Sequence, residues 1–125
     1  MTRTLPAMYE TLLYARTGAV TEIRLNRPHR LNAVIDELYE ELNDALTTAE
    51  EDPETRVIVL TGEGRAFCVG ADLKAHAAGT RTAYQRRQYL NGEQRVCKRL
   101  MTLSKPVIAA VNGYALGAGA EMAVA

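Results

Sequence analysis

The sequence PVIAAVNGYALGAGAE, residues 106–121, decides the predicted fold. Its first six residues are a continuous apolar run, which predicts a short central strand of a sheet, covered on both faces. The Asn-Gly pair that follows predicts a turn. The small residues 117–120 then lead into a helix that we expect to begin near Ala118, with Glu121 in its first turn.

The small residues 117–120 have two interpretations. Side chains this small let one backbone cross another closely. They also leave the first amides of a helix, which have no intrahelical partner, accessible to an anion or a developing oxyanion. A Rossmann turn would need a third glycine where Met122 stands, and no Gly-Lys-Ser/Thr sequence occurs. Both common phosphate-binding turns are therefore disfavoured, and the two interpretations stay open.

Composition narrows the class of protein. With 125 residues and 47% hydrophobic content, the chain is one domain or part of one. Fifteen basic and fifteen acidic residues balance, which argues against nucleic acid as the main partner. No apolar run is long enough for a bilayer, and residues 1–6 lack a hydrophobic signal segment. We therefore expect a soluble, cytoplasmic protein with neither a membrane nor a nucleic acid as its partner.

Cysteine and serine offer few alternatives for catalysis. Cys68 and Cys97 are expected to be reduced thiols, and no Cys/His spacing predicts a zinc site. Cys68 stands between Phe67 and Val69, which favours a buried apolar residue over a nucleophile. Ser104 is the only serine and has no histidine close in sequence, so a serine triad is not expected.

The preceding chain alternates strands and helices. Apolar alternation and three-four spacing predict these elements: a β-hairpin over 11–16 and 19–25, a helix over 33–49 with Asn32 as its N-cap, a buried strand over 56–61, and a longer helix over 82–103. Four residues of the longer helix are expected on its inner face: Val96, Cys97, Leu100 and Met101.

Residues 65–74 form a second place where a strand passes into a helix through glycine. The apolar piece is expected to turn at Gly70 and to open a helix at Ala71 or Asp72, which Gly79 would end. Two helix-opening turns can each place one backbone N–H on the same oxygen atom. Such a pair stabilises charge that develops during a reaction.

Three motifs resemble the enoyl-CoA hydratase/isomerase (crotonase) family. They are LNRP at 25–28 followed by Asn32-Ala33, RAFCVGADLK at 65–74, and KPVIAAVNGYALGAGAE at 105–121. They stand in the family's order and cover nearly the whole chain. The resemblance implies an α/β fold of the ClpP/crotonase type, a spiral of ββα units. Residues 1–125 would be the N-terminal half of one such domain, truncated.

The resemblance also implies roles for individual residues. The amides of Ala71 and Ala118 would form an oxyanion hole for an acyl-CoA thioester carbonyl. Glu121 would be the first of two hydratase glutamates, which orients or deprotonates the water. The residues expected along the CoA moiety, with Arg30 and Lys74 as partners of its phosphates, are His29, Arg30, Leu31, Val69, Asp72, Leu73 and Lys74. CoA would enter as part of the substrate, and neither a covalently bound cofactor nor a metal is implied.

Full-length members of this family assemble as trimers or hexamers and serve fatty-acid β-oxidation. The resemblance therefore implies the same assembly and pathway for the full-length form of this protein. Members of the family are about twice this long, so the resemblance places the second glutamate beyond residue 125. Two hypotheses remain. The first is an enoyl-CoA hydratase, or an isomerase, thioester hydrolase or decarboxylase with the same oxyanion hole. The second is a catalytically incomplete fragment that binds CoA thioesters or another subunit.

Overall fold

The computed structural model of the protein describes residues 2–4, 9–77 and 81–125. In chain order the elements are β1 (Thr2–Thr4), β2 (Leu12–Thr17), β3 (Val20–Leu25), a 3₁₀ helix (Pro28–Arg30), α1 (Asp36–Glu51), β4 (Val57–Gly62), β5 (Ala66–Cys68), α2 (Leu73–Ala77), α3 (Ala83–Thr102), β6 (Val107–Ala109), β7 (Tyr114–Ala115) and α4 (Ala118–Val124).

Most of the strands form one mixed sheet in the order β1-β2-β3-β4-β6. The strands β1, β2 and β3 are antiparallel, whereas β4 pairs in parallel with both β3 and β6. The predicted hairpin is confirmed as β2 and β3, which are joined through Gly18 at a φ of +60°. The strands β5 and β7 form a separate parallel pair, which was not predicted as a sheet.

The prediction that residues 106–111 form a central strand is wrong. Within the described residues, β6 pairs only with β4 and lies at the edge of the sheet. Ile108 is 54% exposed, so one face of the strand is open. A continuous apolar run indicates a buried strand without showing which neighbours cover it, and here only one side is paired.

The core lies between the sheet and α1. This helix buries the residues that the three-four spacing places on one side: Leu38, Tyr39, Leu42, Ala45, Leu46 and Ala49. They pack with apolar strand residues such as Ile23 and Leu60. Burial of each large aliphatic side chain contributes roughly 1.5–3 kcal/mol, so this layer supplies much of the stability that fixes the site's scaffold.

Asn32 is not the N-cap of α1, contrary to the prediction. The helix begins later, at Asp36, with Ile35 in the N-cap position. Asn32 is fully buried at a φ of +57°. Its Nδ2 donates to the carbonyls of Glu63 at 3.1 Å and Ala66 at 2.9 Å, and its Oδ1 accepts from the Arg27 amide at 2.7 Å. Asn tolerates the left-handed region, which lets it join its own loop to the segment 63–66 here.

The predicted long helix is confirmed as α3. Thr82 caps it through a capping box with Gln85, in which each side chain accepts from the other residue's amide. Val96 and Leu100 are buried as predicted, but Met101 is 66% exposed. Met101 therefore lies outside the buried stripe. The predicted break at Gly79 lies outside the described residues.

Within the described residues, no helix combines the length and the apolar character that a bilayer crossing requires.

Candidate active site

The two glycine turns predicted from the sequence lie against each other. A Cβ built on Gly70 would lie 3.1 Å from the Leu116 carbonyl oxygen, 3.5 Å from the Ala118 nitrogen and 3.6 Å from the Gly117 Cα. Gly70 has a φ of +90°, a backbone conformation that L side chains rarely adopt. The absence of a side chain at Gly70 therefore permits the approach of the start of α4 to the residue before Ala71.

The amides of Ala71 and Ala118 are both left without a partner in the described part of the chain. Ala71 forms an isolated parallel bridge with Val34, in which the Gly70 carbonyl and the Asp72 amide make the two hydrogen bonds. The N–H of a residue so bridged points to the opposite side. Ala118 is the first residue of α4, where no intrahelical acceptor exists.

Close packing also explains part of the small-residue run. A Cβ on Gly119 would lie 1.9 Å from the Cys68 carbonyl oxygen, so any side chain there would collide with β5. Both interpretations of residues 117–120 therefore have support. Gly119 serves the packing of α4 on β5, and the amide without a partner in the described residues belongs to its neighbour Ala118.

Asp72 holds the second turn in place from inside the protein. Its side chain is only 4% exposed, and its Oδ1 accepts from the Ala75 amide at 3.1 Å at the start of α2. Its Oδ2 lies 3.2 Å from Arg27 Nη2 and 3.8 Å from Arg30 Nε. The Ala75 amide, then the hydrogen bond from Arg27 and the nearby Arg30 charge, hold the pKa of Asp72 below its usual value. Its carboxylate faces these partners rather than solvent.

The residues predicted along the CoA moiety form two neighbouring segments. Arg30 and Asp72 connect the 3₁₀ helix to the start of α2. Of the remaining predicted residues, His29, Leu73 and Lys74 are exposed, whereas Leu31 and Val69 are half-buried. The structure thus brings the loop around His29 next to the turn that carries Ala71.

An open cavity of about 260 Å³ adjoins Ala71. It is lined by Ala71, Leu73, Arg81, Arg86, Tyr89 and Leu90. Apolar and aromatic groups with a few charged ones are typical of the lining of sites that bind small molecules. The cavity gives Ala71 an accessible apolar neighbourhood.

Glu121 is exposed in the first turn of α4, one turn beyond Ala118. Its carboxylate has a hydrogen-bond partner that was not predicted from the sequence, the carboxyl group of Glu93 on α3. The spacing held a signal for this residue, because Glu93 precedes Val96, Cys97 and Leu100 by three, four and seven positions. Those intervals place it on the inward face of α3.

Cys68 is fully buried at the end of β5, and burial raises the pKa of its thiol to about 11. A thiol with so high a pKa carries little thiolate near neutrality, and the thiolate is the nucleophile. Cys68 therefore acts as a small core residue, as the sequence indicated.

Comparison with known proteins gives one consistent family. Residues 15–125 match the family described as Enoyl-CoA hydratase/isomerase. A probable enoyl-CoA hydratase of Mycobacterium tuberculosis is 41% identical over 122 residues, which cover 95% of this chain and 46% of that protein. A mitochondrial enoyl-CoA hydratase of Pongo abelii is 42% identical over 122 residues, which cover 94% of this chain and 40% of that protein.

Solved structures agree with the sequence matches. The crystal structure of an enoyl-CoA hydratase from Bacillus anthracis superposes with a TM-score of 0.86 at 38% identity, covering 92% of this chain and 45% of that one. An enoyl-CoA hydratase/isomerase from Xanthobacter autotrophicus gives a TM-score of 0.86 at 35% identity, covering 92% of this chain and 43% of that one. The α/β fold of the crotonase type that the motifs implied is thereby confirmed.

The chain spans about half the length of the relatives it matches, since it covers 40–46% of the two proteins named above. The family match nevertheless extends over residues 15–125, which is nearly all of this sequence, and it is supported by both sequence identity and fold. The chain belongs to the enoyl-CoA hydratase/isomerase family.

Proposed function

We propose that the protein containing this chain adds water to 2-enoyl-CoA thioesters, with the amides of Ala71 and Ala118 binding the thioester oxygen. The observation that supports this most is the contact between Gly70 and residues 117–118. It brings together two turns whose amides at Ala71 and Ala118 have no partner among the described residues. The names of the relatives, which are enoyl-CoA hydratases, point to the same chemistry.

The two amides act on the charge that develops during the reaction. When water adds to C3 of the enoyl thioester, negative charge moves onto the thioester oxygen as an enolate. Two fixed N–H donors stabilise that charge without reorganising, and loss of one such donor typically costs about 10²–10³-fold in kcat. Because the donors belong to the main chain, alanine side chains suffice at Ala71 and Ala118.

Glu121 orients the water and takes its proton as the oxygen bonds to C3. Its position in the first turn of α4, one turn beyond Ala118, supports this role. Its exposure leaves it open to a substrate. The proton delivered to C2 comes from a second acid, which we expect outside these 125 residues.

CoA lies along the segments joined by Arg30 and Asp72. The exposed Lys74 and the exposed part of the Arg30 guanidinium offer cations for its phosphates, since the Arg30 side chain is 34% exposed despite its contact with Asp72. Leu31, Val69 and Leu73 offer apolar contact to the pantetheine arm. Asp72 contributes by holding Arg30 and the Ala71 turn rather than by touching CoA.

An isomerase is the second candidate, favoured by the family description, which covers both activities. A single carboxylate next to an oxyanion hole can move a proton between C2 and C4 of a 3-enoyl thioester. Glu121 and the same two amides serve that reaction equally well. Assembly as trimers or hexamers and a cytoplasmic location are further parts of the proposal for the full protein.

The test uses the full gene product and purified enoyl-CoA thioesters. Hydration of crotonyl-CoA removes the conjugated enoyl absorbance, whereas isomerisation of a 3-enoyl-CoA creates it. We expect crotonyl-CoA hydration, and we expect Glu121→Gln to lower kcat by about 10²–10⁴-fold because general acid-base catalysis is lost.

The matched control is Glu37→Gln, which alters an exposed first-turn glutamate of α1. It should leave kcat unchanged. Calorimetric binding of an acyl-CoA by the wild-type protein without turnover of either substrate would contradict the proposal, and would favour a non-catalytic binding module.

A further inference from the structure

The contact between α3 and α4 brings two carboxyl groups together from distant parts of the sequence. Gly92 lets α3 approach α1 closely, because a Cβ there would lie 3.3 Å from the ring of Tyr39. The next residue, Glu93, then reaches α4, where its carboxyl lies in hydrogen-bonding contact with that of Glu121. Two carboxylates cannot share a hydrogen bond unless one of them carries a proton.

The groups that face Glu93 are weak acids or anions on three helices. They are Glu121 on α4, Tyr39 on α1, and Tyr89 and Cys97 on α3 itself. Tyr89 also lines the cavity beside Ala71. Glu93 is thus half-buried next to Glu121, in surroundings that disfavour a second negative charge.

We propose that Glu93 is a positioning residue for Glu121: its protonated carboxyl donates a hydrogen bond that holds the Glu121 carboxylate in one orientation. This inference rests on the proposed function, because it assigns Glu121 the task of handling the water. Glu93 itself touches no substrate in this account. It acts by keeping the carboxylate that does so in place.

The protonation state follows from the same surroundings. Burial first, and then the hydrogen bond and charge of Glu121, raise the pKa of Glu93 to about 7. Below that pH the proton is retained and the hydrogen bond forms. Above it, both groups are ionised and repel each other, so Glu121 loses its fixed orientation.

The first test is the pH profile of kcat for three variants of the full gene product. Glu93→Gln keeps a donor of the same shape at every pH, whereas Glu93→Leu removes it. We expect the wild type to lose kcat as pH rises through about 7, Glu93→Gln to keep its kcat without that loss, and Glu93→Leu to lose about tenfold at neutral pH because Glu121 is misplaced. Gln94→Leu, at the adjacent exposed position, should match the wild type.

Three results would overturn the inference. Glu93→Gln could lose as much activity as Glu93→Leu, which would mean that the ionised form matters. Glu93→Leu could behave like Gln94→Leu, which would mean that Glu93 has no role. The decline in kcat near neutral pH could persist in Glu93→Gln, which would assign the titration to another group.

The second test does not depend on turnover. In protein with ¹³C-labelled glutamate carboxyls, one resonance should titrate with a midpoint near 7, and Glu93→Gln should remove it. Glu121→Gln should lower the midpoint, since one cause of the raised pKa is gone. An unchanged midpoint, or the absence of any such resonance, would show that the pair does not share a proton.

The two proposals fail separately. If Glu121→Gln retains full turnover, the proposed function fails whatever Glu93 does. If Glu121→Gln abolishes turnover and Glu93→Leu matches Gln94→Leu, only the inference about Glu93 fails.

Discussion

Gly70 and Gly117 are in contact across the candidate site: a Cβ built on Gly117 would lie 3.8 Å from the Gly70 Cα. Both residues have a positive φ, +90° and +53°. Each glycine directly precedes an alanine whose amide has no partner in the described residues. The geometry of the site therefore depends on backbone that only glycine adopts without strain.

Gly70→Ala should show the energetic importance of this contact. The new Cβ would lie 3.1 Å from the Leu116 carbonyl oxygen. The alanine would also have to adopt a backbone φ of +90°. We expect the free energy of unfolding to fall by about 2 kcal/mol or more, measured by urea denaturation. Gly18 has a φ of +60° but open space around it, so Gly18→Ala should lower the free energy of unfolding by only about 1 kcal/mol. Equal losses in the two variants would argue against a tight contact at Gly70.

Asn32→Ala should destabilise the scaffold beneath the site. It removes three hydrogen bonds and leaves the Glu63 and Ala66 carbonyls with fewer donors, although Asn112 Nδ2 still reaches the Ala66 oxygen at 3.1 Å. We expect a loss of about 3 kcal/mol in the free energy of unfolding. Asn91→Ala, at an exposed position of α3, provides the control and should change it little. A similar small effect at Asn32 would mean that its hydrogen bonds contribute no net stability.

The sequence predicted those features that depend on local pattern. Periodicity and turn residues located β2, β3, β4, α1, α3 and the start of α4, and the motifs identified the family. Features set by tertiary contacts were missed, because local spacing does not encode them. Asn32 is a residue type typical of an N-cap, but it hydrogen-bonds within its own loop and to the distant segment 63–66. The sequence of β6 is typical of a central strand, but within the described residues the strand has one partner. Glu93 contacts a carboxylate on another helix.

Asp72→Asn should test the buried cluster that supports the Ala71 turn. Asparagine can still accept from the Ala75 amide, but it loses the charge that faces Arg27 and Arg30. We expect the free energy of unfolding to fall by about 2 kcal/mol at pH 7. Because the folded-state pKa of Asp72 lies below its ordinary value of 3.8, this stabilisation is present above about pH 4 and is lost as pH falls through the lower folded-state pKa.

The difference in the free energy of unfolding between wild type and Asp72→Asn should therefore become smaller in acid, as measured by urea denaturation from pH 2 to pH 7. Asp36→Asn breaks a more exposed ion pair with Arg81 and should cost about 1 kcal/mol or less. If Asp72→Asn lost no more stability than Asp36→Asn, or lost the same amount at every pH, the result would contradict the claim that the buried Asp72 carboxylate stabilises the Ala71 turn.

Glu93 should make the protein less stable as pH rises, which is opposite to the pH dependence that Asp72 contributes. Its pKa is raised from 4.5 to about 7, so the folded state holds a proton that the unfolded state has released between those values. The free energy of unfolding should therefore decline as pH rises from about 4.5 to about 7, and this contribution should be constant above that range. Urea denaturation of Glu93→Gln should lack this decline, whereas Glu37→Gln should retain it. Identical pH dependence in all three proteins would exclude a raised pKa at Glu93.

The most direct measurement of the central claim is the kcat of Ala118→Pro in the full gene product. Proline at the first position of a helix deletes the N–H without breaking the helix, and Ala83→Pro makes the same change at the start of α3. We predict that Ala118→Pro lowers kcat about 10²–10³-fold with an unchanged circular dichroism spectrum, while Ala83→Pro turns over substrate like the wild type. Equal turnover in Ala118→Pro and Ala83→Pro would contradict the claim that the Ala118 amide stabilises the thioester oxygen.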